Sequence, residues 1–139
     1  MSLARISEHE EQANFIDEVA WRFGHREDFV RPLLFAVPNG AWFGGANPGA
    51  LMNKFKSEGF RVGVADLIYL QPRGGYNCLV IEMKALDQRN RKNGGVSTEQ
   101  AEFLAAVNGN GGTGEVCYGC DEAVSIFSWY MSLPLALPQ

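Results

Sequence analysis

The sequence predicts an α/β fold, a mixed β-sheet flanked by helices in the order α-β-α-β-β-α-β-α. Three observations predict it. Four segments carry helix start, stop or spacing signals. Short apolar runs bounded by Gly, Pro or Asn lie between them. Two of those runs are joined by a connection of hairpin length. Such alternation builds a layered domain around one sheet.

The elements follow in order. Ser7 is placed to cap a helix whose first turn is acidic, and Phe15, Ile16, Val19, Ala20 and Phe23 recur at helical spacing before Gly24 ends it. Leu33 to Val37 is an apolar run stopped by Pro38-Asn39-Gly40, a buried strand entering a loop. Residues 41–48, with Gly44, Gly45, Asn47 and Pro48, read as irregular. Pro48 to Glu58 fits a second helix, with Pro48 near its start and Gly59 just past its end. Asp66 to Leu70 and Cys78 to Lys84 are strands joined across Gln71–Tyr76, which holds Gly74 and Gly75. Residues 87–95 are polar, basic and glycine-ended, hence a loop. Ser97-Thr98-Glu99-Gln100 opens a third helix with Ala101, Leu104, Ala105 and Val107 on its face. Asn108 to Gly114 reads as a glycine-rich linker and Glu115 to Tyr118 as a last strand. Asp121 is expected to cap a final helix containing Ala123, Val124, Phe127 and Met131, which Pro134 ends.

The bulk numbers bound the answer. A chain of 139 residues with 46% apolar content is expected to form one domain over residues 1–139 with a real core. The net charge of -4 does not advertise a nucleic-acid partner, but its distribution is uneven. From Lys54 to Lys92 eight basic residues, Arg61 and Arg73 among them, face only Glu58, Asp66, Glu82 and Asp87, whereas residues 93–139 hold no Lys or Arg. A local phosphate-binding surface would have this character, and so would an ordinary solvated one. Cys117-Tyr-Gly-Cys120 lacks the second pair that a structural zinc site needs, so Cys78, Cys117 and Cys120 are expected to be free thiols of a reducing compartment. The first residues lack the apolar core of a signal peptide, and no run approaches the roughly 20 apolar residues of a membrane span. The expected location is cytoplasmic.

The chemistry sits in Gly63-Val-Ala-Asp66-Leu and Leu79-Val-Ile-Glu82-Met-Lys84. Residues i and i+2 of a strand share a face, so Glu82 and Lys84 project together while Met83 points into the core. If the two strands pair as a hairpin, Asp66 lies close to Glu82. Two carboxylates and the backbone carbonyl of Met83 form an all-oxygen set that suits Mg²⁺ or Mn²⁺. Such a cation acidifies water and polarises a phosphoryl oxygen, and a lysine beside it can orient the nucleophile and offset growing charge. Glu-x-Lys by itself is common on strands, where a cross-strand salt bridge explains it.

Taken together, the motifs resemble the VRR-NUC (virus-type replication-repair nuclease) domain, a branch of the PD-(D/E)xK nuclease superfamily. The resemblance rests on Glu8 and Gln12 in the first helix, Pro38-Asn39-Gly40, Gly63-x-x-Asp66-Leu67, Glu82-Met83-Lys84 and Ser97-x-Glu99-Gln100, in order. Relatives usually carry proline directly before the aspartate, where this chain has Ala65. The resemblance implies a restriction-endonuclease-like fold and a catalytic set of Asp66, Glu82, Lys84, Glu8 and Gln100. Asp66, Glu82 and the Met83 carbonyl would bind the metal, and Lys84 would position the water. Glu10 and Glu11 compete with Glu8 for the role reaching in from the first helix, and Glu8 equally suits helix capping. Gln100 would orient Lys84 or a phosphate, or serve a capping box with Ser97. Asn39, Arg89, Arg91 and Lys92 would contact DNA. Stand-alone members look like phage proteins and act as homodimers on branched DNA in the manner of Holliday-junction resolvases. Phe127, Trp129, Tyr130, Leu133, Leu135 and Leu137 either form a pairing surface or finish the core. Flap, exonuclease or restriction-type cleavage, and a non-catalytic DNA-binding module, are the alternatives.

Overall fold

The computed structural model describes residues 5–38 and 48–136. The main elements are α1 (Glu8–Phe23), β1 (Leu34–Ala36), α2 (Pro48–Ser57), β2 (Leu67–Tyr69), β3 (Leu79–Lys84), α3 (Thr98–Gly109), β4 (Thr113–Tyr118) and α4 (Cys120–Ser132). Their order is the predicted one. The four strands form one sheet in the order β1-β2-β3-β4, antiparallel for the first two pairs and parallel for β3 with β4. The parallel pair is permitted because α3 carries the chain back between the two strands.

Period-two alternation along β3 divides the molecule. Leu79, Ile81 and Met83 face one layer, where α1 and α4 supply Phe15, Val19, Phe23, Ala123, Val124 and Phe127. Phe127 is the hub there, its ring centroid 5.1–6.0 Å from those of Tyr69, Phe23, Phe15 and Phe29. Val80 belongs to the opposite layer with Ala65 and Leu104, and Ile68, Phe103 and Val107 pack around them. Glu82 and Lys84, two and four residues beyond Val80, therefore emerge on the α3 side. Ala65 is fully buried in this smaller cluster.

Three glycines at two places fix the path of the chain that carries the site. Gly74 and Gly75 both have positive φ and sit between Arg73 and Tyr76, the tight turn that sets the register of β2 against β3. Gly63 has φ +90°, and a Cβ there would lie 2.5 Å from the Glu99 carbonyl carbon. Only glycine lets the segment before Asp66 press onto the first turn of α3.

Four details differ from the sequence reading. Residues 87–95 contain two 3-10 turns, Leu86–Asn90 and Lys92–Gly95. The expected linker from Asn108 is shorter, because α3 runs to Gly109 and β4 starts at Thr113. Asn108 bridges that bend by accepting from Gly114 N–H at 2.8 Å. Asp121 is not the cap of α4: the N-cap is Gly119, with no side-chain cap, and the carboxylate of Glu11 accepts from Cys120 N–H instead. Arg73 does not belong to a basic surface. It is 2% exposed, and its guanidinium donates to Gln71 Oε1, to the carbonyls of Met131, Leu133 and Asp28, and to Asp28 Oδ2. All five donors are used, so the residue ties the hairpin to the C-terminal end of α4.

The three cysteines are free thiols, and burial pushes Cys117 up to about 12. Phe127 and Tyr130 are fully buried in the core, and Leu133 packs against it. Trp129 and Leu135 stay 40% and 39% exposed, while Leu137 lies outside the described residues. Among the described residues no helix is long and apolar enough to cross a membrane.

Candidate active site

Strand pairing assembles the site. Leu67 pairs with Ile81 in the antiparallel register, so the next position along each strand sets Asp66 opposite Glu82. Asp66 Oδ2 accepts from the Met83 N–H at 2.8 Å, which continues the ladder by a side chain where β2 has not yet begun. In a strand the N–H and C=O of one residue leave on the same side. The Met83 carbonyl is accordingly directed to the edge that Asp66 occupies, whereas the Lys84 carbonyl turns to β4 and accepts from Gly119 N–H at 2.9 Å. The Met83 side chain is fully buried in the α1/α4 layer.

The first turn of α3 closes the arrangement. Ser97 and Gln100 form a capping box: Ser97 Oγ accepts from Gln100 N–H at 3.1 Å, and Gln100 Oε1 accepts from Ser97 N–H at 2.9 Å. The same Gln100 Oε1 accepts from Lys84 Nζ at 3.1 Å, and Gln100 Nε2 donates to Glu82 Oε1 at 2.8 Å. Capping and orientation are thus performed by one side chain at once. Lys84 Nζ also lies 3.6 Å from Glu82 Oε1.

The electrostatics follow from burial. Glu82 is 2% exposed, Asp66 9% and Lys84 7%. Desolvation first, and the Asp66 carboxylate second, push Glu82 up to about 8, against the pull of Lys84. Desolvation also raises Asp66, opposed chiefly by the Met83 N–H. Without a counter-charge the pair keeps a proton at neutral pH. Glu8, half-buried at the start of α1, is raised by burial and then by Asp66, with Lys84 opposing. Of the three competing acids only Glu8 lines the cleft: Glu10 is exposed, and Glu11 is turned to α4.

One atom carries most information about what the site could hold. Among the described residues, Glu82 Oε2 is the buried side-chain polar atom without a hydrogen-bond partner. A buried carboxylate oxygen beside a second acid is costly unless a proton shared with that acid or a cation meets it. Asp66, Glu82 and the Met83 carbonyl are the hard oxygen donors such an ion takes. Among the described residues no three His, Cys, Asp or Glu side chains gather tightly enough to hold an ion alone. An ion here would therefore keep several waters, as Mg²⁺ commonly does. The cleft in front of the acids has a volume of about 380 Å³, and its other walls include Met52, Phe60, Arg61 and Val62. Of these, the sequence marks Arg61 alone, as one of the eight basic residues from Lys54 to Lys92. Phe60 and Val62 had adjacency to the Gly63–Asp66 motif as their one signal, and Met52 had none.

The basic loop after β3 divides in two. Arg89 is engaged: it forms an ion pair with Glu122 and lies 4.8 Å over the Tyr118 ring. Tyr118 OH in turn donates to the Gly94 carbonyl at 2.7 Å, pinning the loop. Arg91 and Lys92 are exposed and line an open groove with Gln88 and Ser97, the last of which also lines the cleft. Asn39, and with it the Asn39-Gly40 part of the Pro-Asn-Gly motif, lies outside the described residues.

Residues 45–121 match the family model of the VRR-NUC domain. The chain belongs to the VRR-NUC family. The matched stretch contains Asp66, Glu82, Lys84 and Gln100, while Glu8 lies before it. The chain is also similar in fold to a solved structure described as a VRR-NUC domain protein, with 23% identity and a TM-score of 0.75 over 95% of this chain and 93% of that one. No curated protein is significantly similar to it. Family membership makes this a nuclease domain, and the mixed sheet with its flanking helices is a restriction-endonuclease-like fold.

Proposed function

We propose that this VRR-NUC domain is a metal-dependent, structure-selective endodeoxyribonuclease. On this reading it hydrolyses phosphodiester bonds in branched DNA, foremost four-way junctions, as a homodimer using Mg²⁺ or Mn²⁺. The observation that supports the reading best is Glu82 Oε2, buried beside Asp66 without a donor among the described residues, while Gln100 donates to Oε1 and Lys84 forms an ion pair with it.

Asp66, Glu82 and the Met83 carbonyl would hold the cation, which supplies an acidified water and a polarised phosphoryl oxygen when bound. The remaining work belongs to the chain. Lys84 Nζ, steadied on Gln100 Oε1, orients the attacking water and offsets charge growing on the phosphate. Gln100 Nε2 fixes Glu82 Oε1, which leaves Oε2 for the ion. Asp66 holds its place through the Met83 N–H. Glu8 faces the same acids from α1 and reaches the site directly or through a water. Arg91 and Lys92 bind phosphates beside the cut, and Asn39 is a further DNA contact.

The homodimer rests on symmetry: two matched cuts in a junction need two sites related by a two-fold axis. Among the described residues, Trp129 and Leu135 are what the C-terminal end leaves for pairing, since Phe127 and Tyr130 serve the core. The setting that goes with such a reaction is a bacterial cytoplasm, with a phage as the source.

The experiment is a cleavage panel of end-labelled four-way junctions, flaps and linear duplexes with Mn²⁺, Mg²⁺ or a chelator, run with wild type and Asp66→Asn. The reading predicts metal-dependent nicking of junctions that the variant loses. Preferred cutting of flaps or linear ends would replace the specificity, and no cleavage of any form with either metal would leave a DNA-binding module.

A further inference from the structure

Three grooves that meet end to end cross the α3 face of the sheet. The first, about 610 Å³, is lined by Arg91, Lys92 and Ser97. The second is the catalytic cleft of about 380 Å³, which shares Ser97 with the first and holds Glu8, Asp66 and Glu82. The third, about 600 Å³, shares Phe60, Arg61 and Val62 with the cleft and adds Lys56. Basic side chains, Arg91 and Lys92 at one end and Arg61 and Lys56 at the other, flank the acids of the cleft.

Arg61 is the hinge of the series. It is exposed and forms no ion pair or side-chain hydrogen bond with the described residues. Its backbone is nonetheless fixed, because Gly63 two residues on is pressed against Glu99. A cation held at the mouth of an acidic cleft, with no partner among the described residues, is suited to an anion that enters with the substrate. Arg73 and Arg89 cannot serve, one buried and one paired. The opposite wall of the third groove carries Glu99 and Glu102, so a phosphate chain passing there keeps to the Arg61–Lys56 side.

We infer that the cleaved strand runs along this single trough, from Arg91 and Lys92 over Ser97, past Asp66 and Glu82, to Arg61, which binds a phosphate next to the one that is cut. The inference rests on the nuclease reading above and adds the path and the second phosphate subsite. Cations at both ends neutralise the flanking phosphates, which position the strand without reading its sequence.

The test measures cleavage kinetics in Mn²⁺, and binding of a labelled four-way junction over a range of salt, for wild type, Arg61→Gln, Arg61→Lys and Arg22→Gln. Arg22 pairs with Glu18 on α1, off the trough. Arg61→Gln is expected to raise KM about tenfold with kcat held within about twofold, and to lower the salt slope of binding by about one. Arg61→Lys is expected to recover most of both, and Arg22→Gln to match wild type. Thermal melting checks that each variant is folded. If wild type cuts DNA but Arg61→Gln shows the wild-type KM and salt slope, or behaves as Arg22→Gln does, the path is wrong and the nuclease reading stands. If wild type cuts no DNA, the reading itself falls.

Discussion

Glu82→Gln should make the protein more stable while destroying its response to metal. The carboxyl is buried and pushed up to about 8 in the fold, whereas in the unfolded chain it returns to its ordinary value of 4.5. Between those values the folded state binds the extra proton, so stability falls as pH rises through the window and levels off above it. Each unit of difference is worth about 1.4 kcal/mol, so at pH 7 the native carboxyl costs on the order of 3 kcal/mol. Glutamine matches the shape, still accepts from Gln100 Nε2 through its own carbonyl, and carries no such penalty. For a chain of this size that difference corresponds to roughly 10 °C in melting temperature. The assay is differential scanning fluorimetry from pH 4.5 to 8.5, with chelator and with Mn²⁺. In chelator the gap between variant and wild type should widen with pH. In Mn²⁺ the wild type alone should gain stability, and gain more at higher pH, because binding displaces a proton. Equal pH dependence of the two proteins in chelator would refute the electrostatic argument. A shift of the variant by Mn²⁺ equal to that of wild type would place the ion elsewhere.

Three further outcomes follow from the same geometry. Lys84→Ala should lower kcat by about 100-fold or more with circular dichroism unchanged, in single-turnover cleavage. Gln100→Ala should lose about 1 kcal/mol of stability through the capping box and also depress kcat, since one amide serves both; an effect on stability alone would remove it from the catalytic arrangement. Arg73→Met should cost about 2 kcal/mol or more by urea denaturation, because it removes five hydrogen bonds from a buried setting and leaves the Leu133 carbonyl without a partner among the described residues, while Asp28 keeps its pair with Arg26.

Much of the fold was legible because local signals agreed with tertiary packing. Ser7 and the capping box at Ser97 mark helix starts by side-chain chemistry that needs no distant partner. The Gly74-Gly75 turn fixes the hairpin, and with it the register that puts Asp66 opposite Glu82. The illegible parts depend on contacts far apart in sequence. Glu11 caps α4 across 109 residues, which left Asp121 as the visible but wrong choice. Arg73 looks like any surface arginine until α4 and Asp28 fold around it. The dual use of Gln100 could not be read from the capping motif, because Lys84 and Glu82 reach it only through the sheet. Arg61 and Phe60 enter the cleft wall through the close approach of Gly63 to α3, which a single glycine in the sequence does not announce.

Crystals grown in chelator and then soaked in Mn²⁺ would test the central claim most directly, by anomalous scattering at the manganese edge. A peak bridging a carboxylate oxygen of Asp66 and Oε2 of Glu82, within reach of the Met83 carbonyl, is the predicted result. Strong peaks elsewhere with nothing between residues 66 and 82 would contradict it.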